Sequence, residues 1–353
     1  MSVKRINDHF ELTFDLIIDV RSPGEYNHAH IPGAKNLPLF SDEERAVVGT
    51  LYKQKSKEDA IKAGLGFYGP KMQDMISTVE SWLNEKKPID AAEKFIPGRY
   101  TLLVHCWRGG MRSGGVAWLL DLYGFDVYVL EGGYKAYRNR VLACFEKPWP
   151  FFVLAGNTGA GKTKVLHELE KRGEAVIDLE GIAHHKGSAF GNIGMPEQPG
   201  QEMFENLLAN ELYIRRNQPI WIEDESIRIG HVNLPKSLWV WMGKCHHFML
   251  DIPFEKRLEY TVAEYGKLPV EKMVNAIIRI KKRLGGLETK NAINALIEGQ
   301  VHESFAILLK YYDKWYDKAV VEKSLSHDLL TVVPCEDTDP KRNAESLLSI
   351  IQK

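Results

Sequence analysis

The chain has 353 residues, of which 44% are hydrophobic and 26% are charged, and its formal net charge is −1. This length and composition are typical of a globular protein with two domains of ordinary size, and they exclude disordered and fibrous classes. The near-neutral charge also excludes a uniformly basic nucleic-acid-binding protein, so any such surface must be a local patch.

Cysteine usage and hydropathy both bear on the cellular compartment. The chain has four cysteines without a CxxC pair, namely Cys106, Cys144, Cys245 and Cys335. This pattern argues against a disulfide framework and against a zinc site, and it suits a reducing compartment. The N-terminus has no uninterrupted apolar region, and no apolar run reaches about 18 residues. We therefore expect a cytoplasmic protein without a membrane span.

The first part of the chain alternates strand-like and helix-like segments. Continuous apolar, β-branched runs predict buried parallel strands at 16–20, 100–105 and 126–131. Helices are predicted at 79–87 and at 113–124, where Gly124 ends the second one. Residues 1–140 are therefore predicted to form a domain with a doubly wound parallel sheet.

The α/β alternation starts again after a linker at 141–150, which contains two prolines. Strands are predicted at 151–156, 175–179, 219–224 and 246–253, and helices at 162–173 and 201–216, followed by a largely helical region from 255 to 320. The whole chain is thus predicted to be α/β, and 151–353 to form a P-loop NTPase-like domain with helical additions.

A glycine-rich turn between the strand at 151–156 and the following helix matches G-x-x-x-x-G-K-[ST] without a mismatch. Its residues are Gly156, Asn157, Thr158, Gly159, Ala160, Gly161, Lys162 and Thr163. Such a loop turns successive backbone N–H groups towards a phosphate at a helix N-terminus. Lys162 supplies a positive charge to phosphate oxygens. The motif leaves open whether the ligand is a nucleotide or another diphosphate.

Acidic residues follow two of the predicted strands and are the usual companions of such a loop. The Thr163 hydroxyl is able to hold a magnesium ion, and Asp224 is our candidate for the metal-proximal carboxylate, with Asp178 as its competitor. No metal-ligand set is assigned, because the adjacent histidines at 184–185 and 246–247 lack ligand spacing. No resident cofactor is assigned either.

Cys106 follows the strand at 100–105 directly and opens the stretch CWRGGMR. The carboxyl end of a parallel strand is where α/β sheets bind ligands. Gly109 and Gly110 allow the loop to curl so that its amides face the sulfur. The following helix, with Arg108 or Arg112, would then favour the thiolate and hold a tetrahedral oxyanion.

The first domain resembles the rhodanese family. The similar stretches are DVRSPGEYNHAHIPGAKN at 19–36, the Cys106–Arg112 loop, and VLEGGYKAY at 129–137. One feature departs from the commonest sulfurtransferase loop, which has four residues between cysteine and arginine, whereas Cys106 and Arg112 are separated by five. That longer loop resembles the rhodanese-related phosphatases.

A rhodanese-like domain followed by a P-loop domain, with CWRGGMRS and GNTGAGKT as their loops, is similar to the tRNA 2-selenouridine synthase family. KGSAFG at 186–191 and EDESIRIG at 223–230 also match. The resemblance implies conversion of wobble 2-thiouridine in tRNA to 2-selenouridine, with selenophosphate as selenium donor. It further implies an S-geranyl-2-thiouridine intermediate made from geranyl diphosphate.

The implied activity assigns a role to each loop. Cys106 would handle selenium, either by holding it covalently or by assisting its delivery, and Arg108 and Arg112 would bind the phosphate of selenophosphate. The P-loop and its helix would bind the diphosphate of geranyl diphosphate. Alkylation would make the 2-thio sulfur a better leaving group.

The tRNA surface must be a local basic patch, because phosphate contacts need clustered cations. The candidates are Arg279, Lys281, Lys282 and Arg283, together with Arg215, Arg216 and Arg228, which we expect near the P-loop. A solvated helix face would explain the run at 279–283 equally well.

Two other functions compete with this one. The five-residue spacing favours a rhodanese-type phosphatase or arsenate reductase fused to an ATP-dependent, kinase-like P-loop domain. A non-catalytic tRNA- or nucleotide-binding regulator is the other alternative, although the intact Cys106 and Arg112 count against it.

Overall fold

The computed structural model describes residues 3–10, 12–85, 98–322 and 329–351, with no side chains described at 315–322. The chain divides into two compact units, Met1–Cys144 and Phe145–Lys353. Each unit contains a parallel sheet with helices, which confirms the predicted α/β class. No helix among the described residues is long and apolar enough to cross a membrane.

Within the described residues, the sheet of unit 1 has five strands in the order β1-β5-β4-β2-β3, all paired in parallel. The strands are β1 (Lys4–Ile6), β2 (Leu16–Asp19), β3 (Lys35–Asn36), β4 (Thr101–His105) and β5 (Asp126–Leu130). The helices are α1 (Pro23–His28), α2 (Asp42–Gln54), α3 (Lys57–Tyr68), α4 (Met72–Asn84), α5 (Met111–Tyr123) and α6 (Gly133–Cys144).

The three strands predicted in this unit are β2, β4 and β5, and they form the centre of the sheet. Their side chains are buried on both faces, which explains why they read as continuous apolar runs. The predicted helix at 113–124 is α5, and Gly124 ends it with a left-handed φ of 116°. The helix predicted at 79–87 is the second half of α4, although residues 86–87 lie outside the described residues.

The described sheet of unit 2 also has five parallel strands, in the order β12-β11-β6-β8-β7. Its strands are β6 (Phe151–Gly156), β7 (Ala175–Ile177), β8 (Ile220–Glu223), β11 (His246–Asp251) and β12 (Leu330–Pro334), and a separate hairpin pairs β9 (Arg228–Ile229) with β10 (Val232–Asn233). The helices are α7 (Lys162–Lys171), α8 (Leu179–Ala183), α9 (Gln201–Ile214), α10 (Lys236–Met242), α11 (Phe254–Tyr265), α12 (Val270–Arg279), α13 (Lys281–Leu284), α14 (Gly286–Ile297), α15 (Val301–Glu322) and α16 (Pro340–Ile351).

Among its described residues, unit 2 has two apolar cores. In the sheet core, the fully buried Trp221 ring lies 5.2 Å from the Phe152 ring and 5.1 Å from the Phe248 ring. The second core joins the helical additions, where Leu258, Ile277 and Phe305 are buried together. The helical additions are therefore packed elements with a core of their own, and α15 belongs to that core.

Strand register places the functional loops. Asp19 and His105 are paired where β2 and β4 end, immediately before Cys106. In unit 2, Leu154 of β6 pairs with Glu223, so the last residue of β8 lies beside the strand that leads into the P-loop. Both loops therefore start at the carboxyl edge of a parallel sheet, the edge at which such sheets bind ligands.

Candidate active site

The Cys106 loop surrounds a buried thiol. The Sγ atom lies 3.3 Å from the Ser113 hydroxyl, and only 3% of the residue is exposed. Burial by itself raises the pKa of the Cys106 thiol. The Ser113 hydroxyl, the backbone N–H groups of Ser113 and Arg108, and the charge of Arg112 outweigh that effect and hold the pKa below its usual value. The loop thus favours a thiolate.

Two glycines after β5 hold this loop in place through backbone contacts. Gly133 has a φ of 59°, and a Cβ atom there would lie 2.3 Å from the Cys106 carbonyl oxygen and 2.5 Å from the Gly109 nitrogen. The N–H groups of Tyr134 and Lys135 donate to the carbonyls of Cys106 and Trp107, at 2.8 and 3.0 Å. The Gly-Gly segment at 132–133 is therefore required for the close approach of two backbones.

The two arginines of the loop have different environments. Arg112 donates to Glu25 at 2.8 Å, and Glu25 also pairs with Arg45 at 2.9 Å. Arg108 is exposed, and its side chain makes no hydrogen bond or ion pair with any described residue. Arg112 is therefore oriented by α1, whereas Arg108 is free to reach an anion and contributes its backbone N–H to the thiol.

Behind the loop lies a buried charged pair from the DVR stretch. Arg21 binds Asp19 in a bidentate manner, with Nε 2.9 Å from Oδ2, and donates to the Ala29 carbonyl at 2.7 Å. Its guanidinium lies 3.8 Å from the centre of the Tyr134 ring. Burial lowers the pKa of the neighbouring His105 to about 4, so this ring is neutral at physiological pH.

The P-loop of unit 2 lines a cavity of about 660 Å³. Every residue of the motif except Asn157 lies on its wall, and α7 begins at Lys162. Gly159 and Gly161 have φ angles of 83° and 71°, which the loop requires to turn its amides inward. Lys162 donates to the Gly156 carbonyl at 3.1 Å. A volume of this size suits a small organic ligand.

The carboxylates beside Thr163 are Glu180 and Glu223. The Thr163 hydroxyl donates to Glu180 at 2.8 Å and lies 3.4 Å from Glu223. Asp224 lines the same cavity, and Asp178 caps α8 and pairs with His167. Sequence reasoning selected Asp224, whereas Glu180 and the buried last residue of β8, Glu223, are the carboxylates nearest to the hydroxyl.

Burial raises the pKa of Glu223 well above its usual value, and the charge of Glu180 adds to this effect. Burial also raises the pKa of Glu180, despite the nearby Lys162, and that of Glu225 to about 7. The described residues hold no group of three or more acidic, histidine or cysteine side chains arranged for a metal ion. Magnesium at phosphate sites is commonly held by one or two protein oxygens together with phosphates, and Thr163 and Glu180, which both line the cavity, fit that role.

The wall of this cavity also contains aromatic and aliphatic side chains. They come from the loop after β8, from α10, α11 and α15, and include Ile227, Trp239, Tyr260, Tyr265 and Tyr312. Lys186 and Gly187 of the KGSAFG stretch also line the cavity. The cavity therefore combines the P-loop with an apolar surface.

The basic residues predicted to bind tRNA do not form one cluster. Arg215 forms ion pairs with Glu211 and with Glu170. Glu170 lies near the C-terminal end of α7, about 12 Å along the helix from its start at the P-loop. Arg216 follows Arg215 at the opposite edge of the sheet, so the expectation that these two lie near the P-loop is not met. Arg228 is exposed two residues after the cavity residue Ser226 and donates to the Gly230 carbonyl.

The basic run at 279–283 lies on the helical additions. Arg279 donates to the Ala189 carbonyl at 3.1 Å, beside the KGSAFG stretch. Arg283 lines a second cavity, and the short helix α13 also carries Lys281 and Lys282, both exposed. Of the predicted basic residues, this run therefore lies next to the KGSAFG stretch, part of which lines the P-loop cavity.

Comparison with known proteins matches both units. A family model described as the tRNA 2-selenouridine synthase AAA domain matches residues 149–329, and a rhodanese-like domain model matches residues 2–140. A tRNA 2-selenouridine synthase of Hydrogenovibrio crunogenus is 33% identical over 346 residues, covering 88% of this chain and 91% of the relative. Proteins with the same name from a Sulfurovum species and from Proteus mirabilis are each 35% identical, and the matches cover 85% of this chain and 87% of each relative.

Substitution of Gly133 by alanine should disrupt the Cys106 loop. The added Cβ meets backbone atoms and the positive φ is strained, so we expect a loss of about 2 kcal/mol or more in the free energy of unfolding. Urea denaturation measures this loss. Gly114→Ala in α5, where no atom lies within 4 Å of the new Cβ, should be neutral or stabilising by up to about 1 kcal/mol. Equal effects of the two changes would contradict this account.

Substitution of Ser113 by alanine should raise the pKa of Cys106, because it removes the hydroxyl hydrogen bond to the thiolate. The pH profile of iodoacetamide labelling at Cys106, followed by peptide mass spectrometry, should shift to higher pH. Cys245 and Cys335 provide internal controls, since burial raises the pKa of both thiols. An unshifted profile would show that Ser113 does not stabilise the thiolate.

Proposed function

The chain belongs to the tRNA 2-selenouridine synthase family, and on that premise we propose that it converts wobble 2-thiouridine of tRNA to 2-selenouridine. Selenophosphate is the selenium donor, and an S-geranyl nucleoside made from geranyl diphosphate is the intermediate. One observation carries the proposal: the same chain holds a cysteine that favours the thiolate and a P-loop cavity with an apolar wall.

The P-loop cavity suits a prenyl diphosphate at both of its ends. Lys162 and the loop amides suit the diphosphate, and the apolar wall suits a ten-carbon chain. The 2-thio sulfur attacks carbon 1 of the geranyl group, the C–O bond breaks, and diphosphate leaves as the nucleoside loses its N3 proton. Lys162 stabilises the charge on the leaving diphosphate. Magnesium held by Thr163 and Glu180 would supply further neutralisation of that charge.

Electron balance indicates how Cys106 takes part in the selenium step. Attack of the thiolate on selenium would leave selenium on the cysteine at an oxidised level and release phosphorus as phosphite, so it would yield neither selenide nor phosphate. Attack on phosphorus instead breaks the P–Se bond, releases selenide and leaves a phosphoryl group on the cysteine, which water hydrolyses to phosphate. The five residues between Cys106 and Arg112 give the longer loop that resembles phosphatases, which supports this assignment.

Selenide then completes the exchange on the S-geranyl nucleoside. It attacks carbon 2 of the base, the C2–S bond breaks, and geranyl thiol leaves. The free Arg108 side chain and the Arg112 guanidinium bind the oxygens of the donor phosphate during release of selenide. The rival activity, a phosphatase joined to an ATP-dependent kinase, shares the loops, and the nucleoside products distinguish the two activities.

The two half-reactions should separate by mutation. Cys106→Ala should retain formation of S-geranyl tRNA and abolish selenation, while Lys162→Ala should slow geranyl transfer about 100-fold. Nucleoside mass spectrometry after incubation with thiolated tRNA, geranyl diphosphate and selenophosphate measures both steps. Cys245→Ala is the matched control and should retain both. Loss of both steps in Cys106→Ala, or of neither, would contradict the division of labour.

The apolar wall should determine affinity for the prenyl chain. Ile227→Ala removes aliphatic surface from the cavity, so we expect the KM for geranyl diphosphate to rise about tenfold. Inorganic diphosphate, tested as a competitive inhibitor, lacks the chain and should retain its inhibition constant. A parallel weakening of both ligands would place Ile227 away from the prenyl group.

A further inference from the structure

A second cavity, of about 460 Å³, lies among α13, α14 and α15 of unit 2. Its wall carries three cations, Arg283, Lys310 and Lys314, against one carboxylate, Glu288. Tyr311 and aliphatic side chains complete the lining. A concave surface with an excess of positive charge and an aromatic ring suits a ligand that carries both phosphate and a base.

Two of the three cations of this cavity have no ion-pair partner among the described residues. Lys310 and Lys314 are exposed, and neither forms an ion pair or hydrogen bond with another residue in the described part of the chain. They lie four residues apart on α15, so the two like charges are neighbours on one helix face. Such a pair is unfavourable in the free protein and becomes favourable when an anion binds between them.

Helix α15 also joins this cavity to the P-loop cavity. The ring of Tyr311 lies 5.1 Å from the ring of Tyr312, which lines the P-loop cavity. The next residue, Asp313, binds Arg257 at 2.9 Å, and Arg257 donates to the Thr158 carbonyl of the P-loop at 3.0 Å. Adjacent residues of α15 therefore line the two cavities, Tyr311 the one among α13, α14 and α15 and Tyr312 the P-loop cavity.

We propose that the cavity among α13, α14 and α15 binds the RNA backbone next to the nucleotide that enters the P-loop cavity. The ammonium groups of Lys310 and Lys314 contact phosphodiester oxygens, and the Tyr311 ring offers a face to a flanking base. This inference rests on the proposed function for the identity of the RNA. A free mononucleotide shares the phosphate chemistry, so the test must distinguish the two sources.

The test is fluorescence anisotropy of a labelled anticodon stem-loop RNA with the full chain at several salt concentrations. Lys310→Gln/Lys314→Gln should weaken binding roughly tenfold and make the dependence of log K on log salt shallower by about 1.4, as expected for two lost phosphate contacts. Lys171→Gln/Lys244→Gln removes the same charge at the opposite edge of the sheet and should change neither value. Equal effects of the two double variants would overturn the proposal.

Tyr311 supplies a second, independent measurement. Tyr311→Phe keeps the ring and should bind the stem-loop as the parent does, whereas Tyr311→Leu should bind it about tenfold more weakly. Uridine monophosphate, added as the free nucleotide, should displace the RNA equally poorly from the parent and from the lysine double variant. Nucleotide affinity that falls in the double variant while RNA affinity stays constant would assign the cavity to a mononucleotide instead.

Kinetics separates this inference from the proposed function. In the lysine double variant, the KM for tRNA in geranyl transfer should rise while the KM for geranyl diphosphate and kcat stay unchanged. Absence of geranyl transfer in the parent protein, with RNA binding that still depends on the two lysines, would refute the proposed function and leave the cavity assignment standing. Normal geranyl transfer with lysine-independent RNA binding would refute the cavity assignment alone.

Discussion

The backbone N–H groups at the start of α5 and of α7 have no partners within their own helices, and both helices start at the carboxyl edge of a parallel sheet. These amides need an acceptor. In unit 1 the acceptor is the Cys106 sulfur, which receives N–H groups from Arg108 and Ser113. In unit 2 the amides of the P-loop line an open cavity. The same geometry thus surrounds a sulfur atom in one unit and lines a cavity in the other.

The buried charged groups next to the two loops differ in sign: unit 1 has an oppositely charged pair, whereas unit 2 has two carboxylates. In unit 1, Asp19 and Arg21 neutralise one another and fix the strand end rigidly beneath the cysteine. In unit 2, Glu180 and Glu223 are like charges whose burial raises the pKa of both. Buried like charges are unfavourable unless a cation or proton joins them. The P-loop site is therefore designed around positive charge, from Lys162 or from a metal ion.

Sequence alone was sufficient wherever function depends on contiguous residues. The central strands were predicted because burial on both faces makes them continuously apolar, and the P-loop because its eight residues are contiguous in sequence. Glu180 was not selected, because it meets Thr163 from 17 residues away and no local pattern marks it. Glu223 belongs to the acidic strand end from which Asp224 was chosen, and its approach to Thr163 from 60 residues away is not visible in the sequence. The edge strands β1 and β3 contain three and two residues, too few for a periodic signal. Gly133 could have been found, since consecutive glycines after a strand signal a close backbone approach.

Whether a basic side chain already forms an ion pair decides how much of its charge is available to a ligand, and composition alone does not contain this information. The net charge of −1 conceals which basic residues are neutralised. Arg215 is held by two glutamates and Arg257 by Asp313, so these side chains stabilise the fold and have little charge to offer a ligand. Lys310 and Lys314 keep their charge on a cavity wall one aromatic contact away from the P-loop site. An anionic substrate that must reach that site is therefore attracted to α15, because there its binding gains Coulomb energy without breaking an existing ion pair.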